Sequence, residues 1–122
     1  MTISFEPHKK LTVWQTSVDL VTDVYSCVET LPRDERFDLV SQMRRCAVSV
    51  PANLAEGAAR ESRKEFLRYA VIARGSLSEL DTYLEICRRI GYMQEDQITK
   101  LTKDARRICM MLNGLIKSLR TN

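Results

Sequence analysis

Apolar residues fall in four blocks, each with a helical repeat. In the first, Trp14, Val18, Val21, Tyr25 and Val28 recur at steps of four and three, with Leu20, Val24, Cys27 and Leu31 beside them. That spacing predicts an amphipathic helix over roughly residues 11–30 with a wide apolar face. Pro32 disfavours helix in the residue before it, and Asp34 is the expected N-cap of a second helix beginning near Glu35. Leu39, Met43, Cys46, Val50 and Leu54 give that helix its stripe, with Phe37, Val40 and Ala47 adjacent, and it fades around Gly57-Ala58-Ala59-Arg60. Ser62 followed by Glu65 has the form of a capping box. It opens the cleanest heptad in the chain: Phe66, Ala70, Ala73, Leu77, Leu80, Leu84 and Cys87. Arg88 and Arg89 suit the negative end of this third helix, and Gly91 suits its C′ position. A fourth helix follows from Ile98, Leu101, Ala105, Ile108, Leu112, Leu115 and Leu119, with Asp96 as its expected cap.

Four amphipathic segments joined by short connections bury their faces best as an antiparallel up-down-up-down four-helix bundle, an all-α fold. The chain of 122 residues reads as one domain, residues 1–122, preceded by a flexible arm of about ten residues. Four glycines and three prolines are too few for an all-β fold with frequent turns. The N-terminus lacks the basic-then-apolar order of a signal peptide, and no stretch approaches the ~18 apolar residues that span a bilayer. The expectation is a cytoplasmic protein with no membrane partner. Cys27, Cys46, Cys87 and Cys109 form no C-x-x-C pair and fall on or beside apolar positions, as buried free thiols do.

Pro51 interrupts the second helical stripe. A proline inside a helix removes a backbone hydrogen bond and costs ~3 kcal/mol or more, so a kink, or two helices meeting near Ser49-Val50, is expected. Folding the second and third helices about residue 61 sets Arg45 near Ser76 and Glu79, and Ser49 near Ala73. On the third helix Tyr69, Ile72, Tyr83, Ile86 and Ile90 form a second seam, broken by Ser76 and Glu79. Polar interruptions on facing seams suggest a buried or half-buried pair of Arg44 or Arg45 with Glu79. Together with Asn53 and Glu56 it forms a structural polar network that sets helix register. The same residues with Arg60 could instead line a small-ligand pocket at this hairpin. An exposed strip of Tyr83, Ile86 and Ile90 with Met110, Met111 or Ile116 is the expected subunit contact.

The net charge of +3 is mild, but residues 97–122 carry six basic side chains against Asp104 alone. Arg60, Arg63, Lys64 and Arg68 cluster near one end of the bundle, and Lys100, Lys103, Arg106 and Arg107 run along the fourth helix. These eight are the candidate contacts for an RNA or DNA backbone. His8 is the one histidine. No Glu-x-x-His pair, zinc spacing, nucleotide-binding glycine loop or positioned Ser-His-Asp set exists, so no cofactor, metal or catalytic residue is expected.

Several segments are jointly distinctive: Val13-Trp14-Gln15, Gln42 with Arg44-Arg45, Ser49-Val50-Pro51-Ala52-Asn53, Ala55-Glu56-Gly57, Arg60, and Arg74-Gly75-Ser76 with Glu79-Leu80. Over roughly Leu11 to Met93 the chain resembles the bacterial four-helix-bundle family named for open reading frames in intervening sequences of the 23S ribosomal RNA gene. Cys46, where a small residue is usual, and the Ala58-Ala59 pair depart from the common pattern. The resemblance implies a four-helix protomer assembling into a ring, a homopentamer, with no established enzymatic activity. More distantly the chain is similar to accessory proteins of diversity-generating retroelements, which pair with a reverse transcriptase and nucleic acid. The leading expectation is therefore a non-enzymatic homo-oligomer that binds nucleic acid through its basic surface. A protein-interaction scaffold, such as an accessory subunit of a reverse transcriptase, is the alternative, and small-ligand binding at the polar hairpin is a third.

Overall fold

The computed structural model describes residues 6–121. Four long helices, α1 (Thr12–Val28), α2 (Leu39–Ala59), α3 (Arg63–Ile90) and α4 (Glu95–Arg120), carry the core, and the described residues contain no strand. α1 packs beside α2 and α4, and α3 packs beside the same two, which places the four helices around one apolar centre. Val24, Met43, Leu54, Leu80, Leu84, Ile108 and Leu112 are among its fully buried members.

Local signals set several helix ends as expected. Ser62 accepts a hydrogen bond from the backbone of Glu65 and starts α3. Gly91 ends it at φ +85°, where the amides of Gly91 and Tyr92 close onto the carbonyls of Arg88 and Cys87. This left-handed position is cheap only for glycine.

Other ends differ. Residues Arg33–Glu35 form a 3-10 turn, and α2 begins only at Leu39 with Asp38 at its N-cap, so Asp34 caps nothing. Phe37 thereby falls outside the helical register and stands 89% exposed instead of flanking the core. Gln94 and Gln97 cap α4 reciprocally, and Asp96 lies within its first turn. Pro51 neither splits nor ends α2: the helix continues through it. Asn53 donates its side-chain N–H to the Ser49 carbonyl at 2.7 Å, adding a side-chain bond to the backbone beside the proline. Residues Pro7–Lys10, expected in a flexible arm, form a 3-10 turn in which His8 lies edge-on to Trp14, and Gln15 bonds the Lys9 carbonyl. The first five residues of that arm lie outside the described residues.

The buried face of α1 is also rotated. It runs Val13, Ser17, Leu20, Val24 and Val28, while Trp14, Val18 and Val21 are half-buried and Tyr25 is exposed. The apolar stripe is wide enough to centre in more than one way. Ser17 can take an inward position because its hydroxyl bonds the Val13 carbonyl one turn back. In α4 the last core position is Ile116, with Leu115 and Leu119 only half-buried.

The four cysteines are free thiols. Burial, with the charge of Glu79 second, pushes the Cys46 thiol up to about 12, and burial followed by Glu35 pushes Cys87 up to about 11. Both are inert at neutral pH, since the thiolate is the reactive form.

Candidate nucleic-acid interface

The eight predicted contact residues divide into two groups in space, and half of them already have partners. At the α2–α3 turn, Arg60 donates to the Glu56 carboxylate at 2.9 Å and to the Tyr69 hydroxyl at 3.0 Å. Its hydrogen bond to Glu56 raises the Arg60 pKa above its ordinary value. Arg68 pairs with Glu65 at 3.5 Å, and the guanidinium carbons of Arg60 and Arg68 lie 5.3 and 4.7 Å from the Tyr69 ring. Arg63 donates to the carbonyls of Ser118 (2.6 Å) and Thr121 (2.7 Å), neutralising the negative end of α4. Lys64 alone in this cluster is exposed with neither an ion pair nor a side-chain hydrogen bond among the described residues.

Along α4, Lys100 is held 3.0 Å from both Asp23 of α1 and Asp104, whose hydrogen bonds push its pKa up. Lys103, Arg106, Arg107, Lys117 and Arg120 are exposed and make no ion pair among the described residues. Met110, 70% exposed, stands among them. Arg106 also lines a groove of about 400 Å³ between α3 and α4, beside Asp81 and Thr82.

The polar network differs from its expected wiring. Asn53 donates to the Ser49 hydroxyl at 2.8 Å, and the Ser49 and Ser76 hydroxyls share a hydrogen bond of 2.8 Å across the hairpin. Ser49 thus meets Ser76 rather than Ala73, because the hairpin axis lies near Ser62 and not at residue 61. Arg44 and Arg45 do not pair with Glu79. The Arg44 guanidinium lies 4.9 Å from the Tyr25 ring with its Nε buried and without a hydrogen bond, while Arg45 and Glu79 are exposed. Asn53 joins the serines, Glu56 joins Arg60 and Tyr69, and no single network unites the five residues.

Sequence reasoning missed Gly57. An added Cβ there would lie 2.7 Å from Tyr69 Cβ and 2.9 Å from a Phe66 ring carbon, so α2 and α3 approach through this glycine. Its place in the Ala55-Glu56-Gly57 run, one turn before the hairpin, was the available signal.

The family model described as 23S rRNA-intervening sequence protein matches residues 9–114. The chain belongs to that family. Among solved structures, the 23S rRNA-intervening sequence fold is shared with a crystal structure of a protein of unknown function from the S23 ribosomal protein family of Bacteroides thetaiotaomicron. That structure is 24% identical with a TM-score of 0.79, over 87% of this chain and 99% of the other. At that identity the likeness shows the fold alone. No curated protein matches the chain. In this family member the distinctive Ser49–Asn53 and Glu56–Arg60 segments serve the α2–α3 hairpin, through the contacts described above. No helix among the described residues is long and apolar enough to cross a membrane.

Proposed function

We propose that the protein is a non-enzymatic homo-oligomer, a ring of up-down-up-down four-helix protomers, that presents the outer face of α4 to nucleic-acid backbones. The carrying observation is a division of the surface. Lys103, Arg106, Arg107, Lys117 and Arg120 stand on α4 without ion pairs among the described residues. On α3 an exposed or half-exposed apolar strip runs Ile72, Tyr83, Ile86 and Ile90. Ser76, on that same helical face, bonds to Ser49 of α2, so the strip lies toward α2, away from the α3 side where Arg74 bonds Asn113 of α4. Association through the strip leaves the basic helices outward. Ile116, expected in the subunit contact, is core, and Met110 belongs to the basic face.

Of the eight predicted cations, Arg60, Arg63, Arg68 and Lys100 are committed to protein partners, which moves the weight to α4. A ring multiplies weak phosphate contacts by its copy number, so a small net charge per chain is compatible with useful avidity. Anisotropy with labelled RNA and DNA at two salt concentrations tests the reading. Affinity is expected to fall with salt, and Lys103→Gln with Arg107→Gln to flatten the logarithmic salt slope by about 1 for each phosphate that is no longer neutralised. Absence of binding at low salt, or indifference to salt, removes it. Light scattering at micromolar concentration is expected to return a multiple of the 14.1 kDa protomer, and a 14.1 kDa particle removes the oligomer.

A further inference from the structure

Three arginines whose side chains make no ion pair or hydrogen bond among the described residues converge on one cavity. Arg33, Arg36 and Arg44 line a cavity of about 180 Å³ at the corner between α1 and α2. None of the three is in an ion pair among the described residues, although Arg60, Arg68, Arg88 and Arg89 all are. Glu29 is the one acid in the lining, which leaves two positive charges uncompensated. Asp34, Glu35 and Asp38, close in the chain, are not part of it.

Two further features bear on the same place. The Nε of Arg44 is buried without a hydrogen-bond partner. A guanidinium donor left this way is costly, and its natural complement is an oxyanion. The first turn of α2 also reaches the cavity through Val40, and it carries no acidic residue and receives no side-chain cap from Asp38. Its free amides form the positive end of a helix of 21 residues. The competing negative end of α1 is partly closed, because the Cys27 carbonyl accepts from Thr30 and the Val28 carbonyl from Leu31.

We infer that this corner binds a single phosphate group in its doubly charged form. A phosphate monoester carries about −1.5 to −2 at neutral pH, which matches the uncompensated charge of the lining, whereas an interior phosphodiester carries only one negative charge. Three guanidinium groups and a helix start supply the kind of donors an oxyanion accepts from, and the volume of about 180 Å³ suits one such group and not a whole nucleotide. The source is either free inorganic phosphate or the terminal phosphate of a nucleic-acid strand. This site lies apart from the α4 face and does not depend on it.

The test is an NMR titration of the full chain with inorganic phosphate, against sodium chloride at equal ionic strength. Phosphate is expected to shift the Val40 and Ser41 amides saturably where chloride does not. Arg33→Gln with Arg36→Gln, both on the exposed turn and outside the core, is expected to weaken phosphate binding at least about tenfold. Lys10→Gln, an exposed position ahead of α1 and so at the opposite end of that helix, leaves it unchanged. Arg44→Lys is a second variant, expected to keep the fold and weaken phosphate binding in the same direction. A 5′-phosphorylated oligonucleotide that displaces phosphate where its 5′-hydroxyl twin does not assigns the strand terminus as the source. Displacement by neither assigns the free ion. A response to phosphate no greater than to chloride, or a double variant that binds as the wild type does, overturns the site and leaves the salt-dependent binding of the α4 face to stand or fall by itself.

Discussion

Leu80→Ala is expected to lower the unfolding free energy by about 2–5 kcal/mol, the cost of deleting a buried leucine and leaving a cavity. Leu80 is fully buried on α3, the helix packed against both α2 and α4. Neighbours from two helices cannot collapse into the space without breaking their own contacts, which favours the upper part of that range. Total stability of a domain is only about 5–15 kcal/mol, so this one change removes a large share of it. Urea unfolding followed by circular dichroism at fixed protomer concentration measures the effect, since association makes apparent stability depend on concentration. Phe37→Ala supplies the contrast. The larger apolar side chain is removed, but at 89% exposure its loss is expected to change stability by less than about 0.5 kcal/mol. Equal effects at the two positions would contradict the packing described for the core.

The second large effect is at Gly57. Alanine is the better helix former by about 0.8–1.0 kcal/mol, so propensity alone predicts that Gly57→Ala stabilises α2. Geometry predicts the reverse. The new methyl group meets Tyr69 Cβ at 2.7 Å, an atom fixed to the backbone of α3 that no rotamer change moves aside. The helices must separate at the turn, and the Arg60–Tyr69–Glu56 contacts loosen with them. A net loss of about 1–3 kcal/mol is expected from overpacking, roughly 3–10 °C in Tm for a domain of this size. Gly75→Ala is the matched control. No heavy atom lies within 4 Å of its added Cβ, and a gain of about 0.5–1 kcal/mol is expected. If both substitutions raised Tm, the close approach at the hairpin would not be a constraint on the fold.

The candidate interface was only partly legible beforehand. The sequence shows which residues are cationic, but not which are already neutralised. Arg63 lies 55 residues from its acceptor Ser118, and Lys100 lies 77 from Asp23. Such pairings exist only after the helices meet. Arg60 with Glu56 and Arg68 with Glu65 lie within one turn and were readable in principle as helical ion pairs. Arg33 and Arg36 sit in a turn of charged residues that reads as solvated loop, and only the fold brings Arg44 to their cavity.

What the sequence determined by itself is the set of four helices, the caps at Ser62 and Gly91, and the buried stripe of α3 from Ala70 to Cys87. Each depends on residues within about one turn of one another, where backbone geometry leaves few choices. The tertiary structure alone decided which side of α1 faces inward, that Ser49 meets Ser76, that Gly57 lies against Tyr69 and Phe66 of α3, and which arginines remain free. Moving the hairpin axis by about one and a half residues carries the partner of Ser49 three residues along α3, from Ala73 to Ser76, which is about 4.5 Å at a rise of 1.5 Å per residue. That displacement leaves the periodicity of both helices untouched while exchanging every contact between them.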